Sequence, residues 1–113
     1  MFIDEYGEKV EVNEFGDKYY YKHGDYHRTN GQAIEWTNGD KSWYLNGKLH
    51  RTNGPAVEFA DGYKSWWIKG KLHRINGPAI EYTNGDKWWY LNGKSYSKED
   101  YQKALKGFKN VYR

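Results

Sequence analysis

A chain of 113 residues with a formal net charge of +3 and no cysteine has room for one domain and excludes both disulfide frameworks and thiolate metal sites. The charge is too mild for a dedicated nucleic-acid binder, and no apolar run approaches the roughly 18 residues of a membrane span. Aromatic residues make up 19% of the chain although its mean hydropathy is −1.16, so apolar surface is concentrated in flat rings, which suits a thin, one-sheet structure. Met1-Phe2-Ile3-Asp4 does not begin a signal peptide, and the expected location is the cytoplasm.

In chain order, residues 1–16 read as a degenerate first unit, in which Gly7-Glu8-Lys9-Val10-Glu11-Val12 echoes Gly54-Pro55-Ala56-Val57-Glu58-Phe59. Three fuller units of equal length follow at 17–39, 40–62 and 63–85, and a half unit at 86–94. Fixed short-period repetition is the mark of an array built from one supersecondary unit, and its terminal units must present a soluble edge. Glycine recurs with a near-constant spacing at Gly31, Gly39, Gly47, Gly54, Gly62, Gly70, Gly77, Gly85 and Gly93. Several of these follow Asn or Asp, as in Asn46-Gly47, Asp61-Gly62 and Asn92-Gly93. Between alternating runs rich in Trp, Tyr, Ile and Val such pairs predict hairpins with type I′ turns, and they argue against helix.

Pairing across those turns sets Phe59 opposite Lys64, Val57 opposite Trp66, Tyr44 opposite Leu49 and Trp43 opposite His50. One face then carries Ile34, Val57 and Ile80, with Trp43, Trp66 and Trp89 and with Leu45, Ile68 and Leu91. It is expected to be the buried face. The other carries Tyr21, Tyr44, Trp67 and Tyr90 beside Glu35, Glu58 and Glu81. Asn53-Gly54-Pro55 and Asn76-Gly77-Pro78 mark bends, because proline cannot donate to a ladder. The pattern stops at Ser95. Ser97 followed by Asp100 looks like a helix start, and Tyr101, Ala104, Leu105 and Phe108 form an apolar stripe, so a short capping helix is predicted over 97–106.

The run Trp-Tyr-Leu-Asn-Gly-Lys-Leu-His-Arg from Trp43 to Arg51, followed by Gly54-Pro55-Ala56, resembles a MORN-type repeat. It is most similar to a His-Arg-x-x-Gly-Pro-Ala variant that recurs in bacteriophage and giant-virus proteins. The resemblance covers about Asp17 to Gly93. It implies an all-β, single-layer, twisted antiparallel sheet of repeated hairpins, a binding or scaffolding role, no catalytic residues and no cofactor. His50-Arg51 and His73-Arg74 stand where the ordinary pattern has His-Gly.

The pairs His27-Arg28, His50-Arg51 and His73-Arg74 admit two readings. Equivalent histidines two strands apart lie roughly 10 Å from each other, too far to share a zinc ion. Residues that recur along a line do not make one convergent catalytic constellation. The structural reading packs His on Trp43 or Trp66 and stacks Arg on the tyrosine face, paired with Glu. The functional reading joins the pairs to Tyr21, Tyr44, Trp67 and Tyr90 as an exposed, partner-binding stripe. The expected function is a non-enzymatic protein-binding module, whose viral resemblance implies a phage product inhibiting a host defence protein. The alternatives are a protein that binds nucleic acid or a small nucleotide and a membrane-associated scaffold, and the chain is expected to be a monomer or an edge-paired dimer.

Overall fold

The computed structural model describes residues 2–3 and 7–112, and side chains for residues 7–107. Among the described residues fifteen short strands and one helix follow in chain order. They are β1 (Phe2–Ile3), β2 (Lys9–Val12), β3 (Lys18–Lys22), β4 (Asp25–Tyr26), β5 (Ile34–Glu35), β6 (Lys41–Ser42), β7 (Tyr44–Leu45), β8 (Lys48–Leu49), β9 (Val57–Glu58), β10 (Lys64–Ser65), β11 (Trp67–Ile68), β12 (Lys71–Leu72), β13 (Ile80–Glu81), β14 (Lys87–Leu91), β15 (Lys94–Tyr96) and α1 (Lys98–Tyr112). The main sheet is antiparallel and open, in the order β1-β2-β3-β5-β6-β9-β10-β13-β14-β15, with β4 beside β3 and the hairpins β7-β8 and β11-β12 to its side. The molecule measures 48 × 32 × 17 Å. The expected all-β, single-layer array with a C-terminal helix is what the chain forms.

Each unit changes partner at one aromatic residue. The Trp43 amide donates to Ala56 O in the main sheet, while its carbonyl accepts from His50 N in the side hairpin; Trp66 does the same with Ala79 and His73. The side hairpins also join one another. Arg51 N donates to Trp67 O and Gly70 N to Leu49 O, so the array continues along a second column. Ala33, Ala56 and Ala79 are fully buried, and each donates to one flanking strand and accepts from the other.

The side-hairpin tips are type I′ turns. His23-Gly24, Asn46-Gly47, Lys69-Gly70 and Asn92-Gly93 have positive φ at both central residues. The opposite turns are not as expected. Phe59 N donates to Tyr63 O and Gly62 N to Phe59 O, which makes a three-residue loop with Gly62 alone at positive φ. The expected register there is therefore off by one. Val57 faces Ser65, not Trp66, and Glu58 faces Lys64.

A slip of one residue moves a strand's side chains to the other face. Lys18, Glu35, Lys41, Glu58, Lys64, Glu81 and Lys87 consequently stand in one row across seven adjacent strands, alternating in sign at every step. The glutamates belong with Trp43 and Trp66, not with the tyrosines as expected: Arg74 touches both Trp66 and Glu81. Ile34, Val57 and Ile80 share the other face with Ser42 and Ser65, and Trp67 joins them by donating from Nε1 to Ser65 Oγ at 2.8 Å. Neighbouring units are further tied by Asp17 and Asp40, whose carboxylates accept the amides of Thr37 and Ala60. At the equivalent Tyr63 a ring contact to Tyr82, 5.4 Å between centroids, takes that place.

Ser97 caps α1 as expected, its Oγ accepting the Asp100 amide at 3.0 Å, with Glu99 and Asp100 favourably placed in the first turn. The helix runs to Tyr112, past the expected end at Lys106. Gly107 costs it only about 1 kcal/mol, and no proline follows to stop it. Tyr101 is buried, Ala104 and Leu105 are half-buried, and the expected contact of Phe108 lies outside the described side chains.

Two local exceptions to the repeat give tests. Lys69 holds φ 49° where the tips on either side of it use Asn46 and Asn92. Because asparagine visits this region readily and lysine does not, Lys69→Asn should stabilise the fold by about 1 kcal/mol in urea unfolding. Ser42 and Ser65 are equivalent and buried, but Ser65 Oγ has the Trp67 donor while Ser42 Oγ has no hydrogen-bond partner among the described residues. Ser65→Ala should cost about 1 kcal/mol, whereas Ser42→Ala should be neutral or stabilising. Equal losses at both sites would contradict this assignment.

Candidate functional site

The His-Arg pairs sit where each side hairpin returns to the main sheet. His27, His50 and His73 accept at Nδ1 the backbone amides of Asn46, Lys69 and Asn92, each at 2.9 Å. Each acceptor therefore grips the tip residue of the next hairpin, where the chain is forced into positive φ. This fixes the tautomer with the proton on Nε2. His27 Nε2 lies 3.3 Å from Glu8 Oε1, and the buried Glu8 carboxylate also accepts from the Thr29 amide and hydroxyl. Glu8 closes the first unit. Sequence reasoning missed it: the expected echo aligned Glu8 with Pro55, whereas the pairing of Val12 with Lys18, like that of Glu35 with Lys41, makes Gly31 its equivalent in the next unit.

The arginines fold back onto their own units. Arg28, Arg51 and Arg74 place Cζ 3.8, 3.8 and 3.7 Å from the ring centroids of Tyr20, Trp43 and Trp66. The tryptophan face, not the tyrosine face, receives the guanidinium. From there Nη1 donates to the carbonyl four residues on, that of Gln32, Pro55 or Pro78, and Nε of Arg51 and Arg74 donates to Asn53 and Asn76. The expected Glu pairing is present at Arg51–Glu58, 3.6 Å, and Arg74–Glu81, 2.9 Å. A Cβ at Gly54 or Gly77 would stand 2.9 Å from the stacked Cζ, so glycine there leaves room for the clamp.

Tyr21, Tyr44, Trp67 and Tyr90 are all half-buried. Tyr26 bridges the first two, with ring centroids 5.2 Å from Tyr21 and 5.3 Å from Tyr44. Burial raises the pKa of both Tyr21 and Tyr44, with Tyr26 adding to the effect. The most exposed large apolar side chains lie elsewhere and include Phe15, Trp88 at 51%, Ile75 at 44% and Tyr82.

The repeat produces two open grooves on the Arg–Trp face. The first has the loop from Arg28 to Gln32 as one wall, Arg51 to Asn53 as the other, and Trp43, Leu45 and His50 as its floor, with a volume of 540 Å³. The second, 710 Å³, uses the equivalent positions of the next unit: Arg51 to Pro55, Arg74 to Asn76, and Trp66, Ile68 and His73. Beside them runs the margin of hairpin tips. Lys22, Lys48, Lys69, Lys71 and Lys94 lie along it with Arg28, Arg51 and Arg74 behind them, against the single acid Asp25. The opposite margin, at the three-residue turns, carries Glu14, Asp17, Asp40, Asp61 and Asp86, and the rungs next to it set Lys18, Lys41, Lys64 and Lys87 against Glu35, Glu58 and Glu81. The lysines of the hairpin tips, scattered along the chain, are gathered in space, because strand direction reverses every few residues.

Among the described residues no group of three or more His, Asp or Glu side chains is placed to hold a metal ion, and no helix is long and apolar enough to cross a membrane. The histidine contacts do predict a pH dependence. Burial lowers the pKa of His50, with Lys69 adding to it, and burial lowers that of His73. The fold uses the neutral form, so this stabilisation is complete above the ordinary value of about 6.5 and is lost as pH falls through the depressed folded values. The melting temperature should be level from about pH 8 to 6.5 and fall as the pH is lowered below about 6.5. His50→Asn combined with His73→Asn, which keeps a neutral acceptor, should flatten that slope; an unchanged slope would contradict the assignment.

Comparison with models of known families, with curated proteins and with solved structures found no match for this chain.

Proposed function

We propose that this protein is a non-enzymatic, protein-binding repeat module that engages an acidic partner along its hairpin margin and the grooves beside it. The observation that carries the reading is the separation of charge between the two long margins, next to two grooves of the same construction. A basic margin steers an acidic surface into place, and neighbouring grooves with polar walls over Trp43 and Leu45 or Trp66 and Ile68 then supply contact area. The His-Arg pairs hold the walls of those grooves, and Arg51 and Arg74 line them, so the same residues serve the fold and the surface. The resemblance to MORN-type repeats of phage and giant-virus proteins supports this class. It makes inhibition of a host protein the particular form we propose.

Nucleic acid would also find the basic margin. Its equivalent cations recur only every two strands, however, roughly 10 Å apart, and the rings of Trp43 and Trp66 already carry a guanidinium on one face. The test is charge reversal at the exposed Lys48, Lys71 and Lys94. The parent protein should retain one protein from a bacterial lysate at near-equal amount with nuclease present, and the triple Lys→Glu variant should lose it while its stability stays within about 0.5 kcal/mol. Retention that nuclease abolishes, or that the reversal leaves intact, would contradict the proposal.

A further inference from the structure

The fold contains an example of what its grooves hold. Displacing the second groove by one further unit places the first wall at 74–78 and the floor at Trp89, Leu91 and Tyr96. The second wall would begin at Ser97, where α1 is capped and where the helix packs on β14 and β15. This third position is filled. Tyr101 of α1 is 3% exposed, its hydroxyl donating to Arg74 O at 2.5 Å and accepting from Gly77 N at 3.3 Å.

The equivalent carbonyl and amide in the open grooves are those of Arg51 and Gly54 and of Arg28 and Gly31. Among the described residues no side chain bonds to either pair, as Tyr101 does to the third. A carbonyl and an N–H three residues apart on one loop call for a single atom that both donates and accepts. The rings and branched chains below call for an apolar stem. A phenol satisfies both. Phenylalanine would leave the two polar groups unpaired, and serine or threonine is too short to span the floor.

We propose that the two open grooves are receptor sites for a tyrosine on a partner's amphipathic helix, held as the third position holds Tyr101. This rests on the protein-binding reading and specifies the ligand. The protein's own helix also supplies the charge pattern, for Glu99 and Asp100 precede its tyrosine, and a partner helix of the same kind would lay its acids towards Arg51, Arg74 and the lysine margin.

The test titrates the full chain, labelled with ¹⁵N, with a synthetic peptide of residues 97–107 and with the same peptide carrying Tyr101→Phe. The amides of Gly31 and Gly54 should shift saturably with the first peptide, and the second should bind about tenfold or more weakly. Three results would each overturn the proposal: no shift up to about 5 mM peptide, equal binding by both peptides, or movement at Gly77 alone through exchange with the resident helix. If the peptide fails while charge reversal still abolishes partner capture, the tyrosine receptor falls and the protein-binding reading stands.

Discussion

A sheet one layer thick has no second layer to cover it, and this fold meets that constraint with a guanidinium laid on a ring in every full unit. Arg51 on Trp43 and Arg74 on Trp66 cover apolar surface with a group that also bonds the loop carbonyl, the neighbouring asparagine and a glutamate. Stacking alone is worth about 0.5–1 kcal/mol at half-exposed sites. The added hydrogen bonds to a charged donor contribute roughly 1.5–3 kcal/mol, and they pin the Asn-Gly-Pro loop against its own unit. Gly54 and Gly77 follow from this arrangement, as the loop could not approach the stacked group with a Cβ in the way.

Where the arginine holds a unit together, the histidine joins it to the next. Its Nδ1 accepts the amide of a tip residue at positive φ, so the strained turn and the inter-unit bond form together. The ends of the array are closed by non-periodic residues in comparable roles. Glu8 sits on His27 at one end, and Tyr101 sits on the Arg74–Gly77 loop at the other. The repetition leaves grooves between successive arginine loops and places the lysines of every hairpin tip on one margin.

Much of this was legible in the residues. The period, the tips at Asn46-Gly47 and Asn92-Gly93, and the Ser97 cap all follow from turn and capping chemistry. The register at Phe59–Tyr63 was not, since Asp-Gly serves a two-residue type I′ turn and a three-residue loop equally well. That one-residue ambiguity moved the glutamates to the wrong face and hid the alternating Lys–Glu row. The segregation of charge was hidden for a different reason. Each unit interleaves its acids and bases along the chain, and only the reversal of strands puts the tip lysines and the turn acids on opposite margins, with the paired Lys–Glu row between them. Tyr101 was legible as part of the helix's apolar stripe but its bond to the Arg74–Gly77 loop was not, and Glu8 has no acidic counterpart in the other units.

If the stacked, hydrogen-bonded guanidinium holds each unit, Arg51→Lys followed by urea unfolding should reveal it. Lysine keeps the charge and the apolar stem but cannot cover the Trp43 ring while bonding both Pro55 O and Asn53. The expected loss is about 2 kcal/mol or more with an unchanged m value. A loss under about 0.5 kcal/mol would show that charge near the ring is enough, and that the clamp is not what holds the sheet.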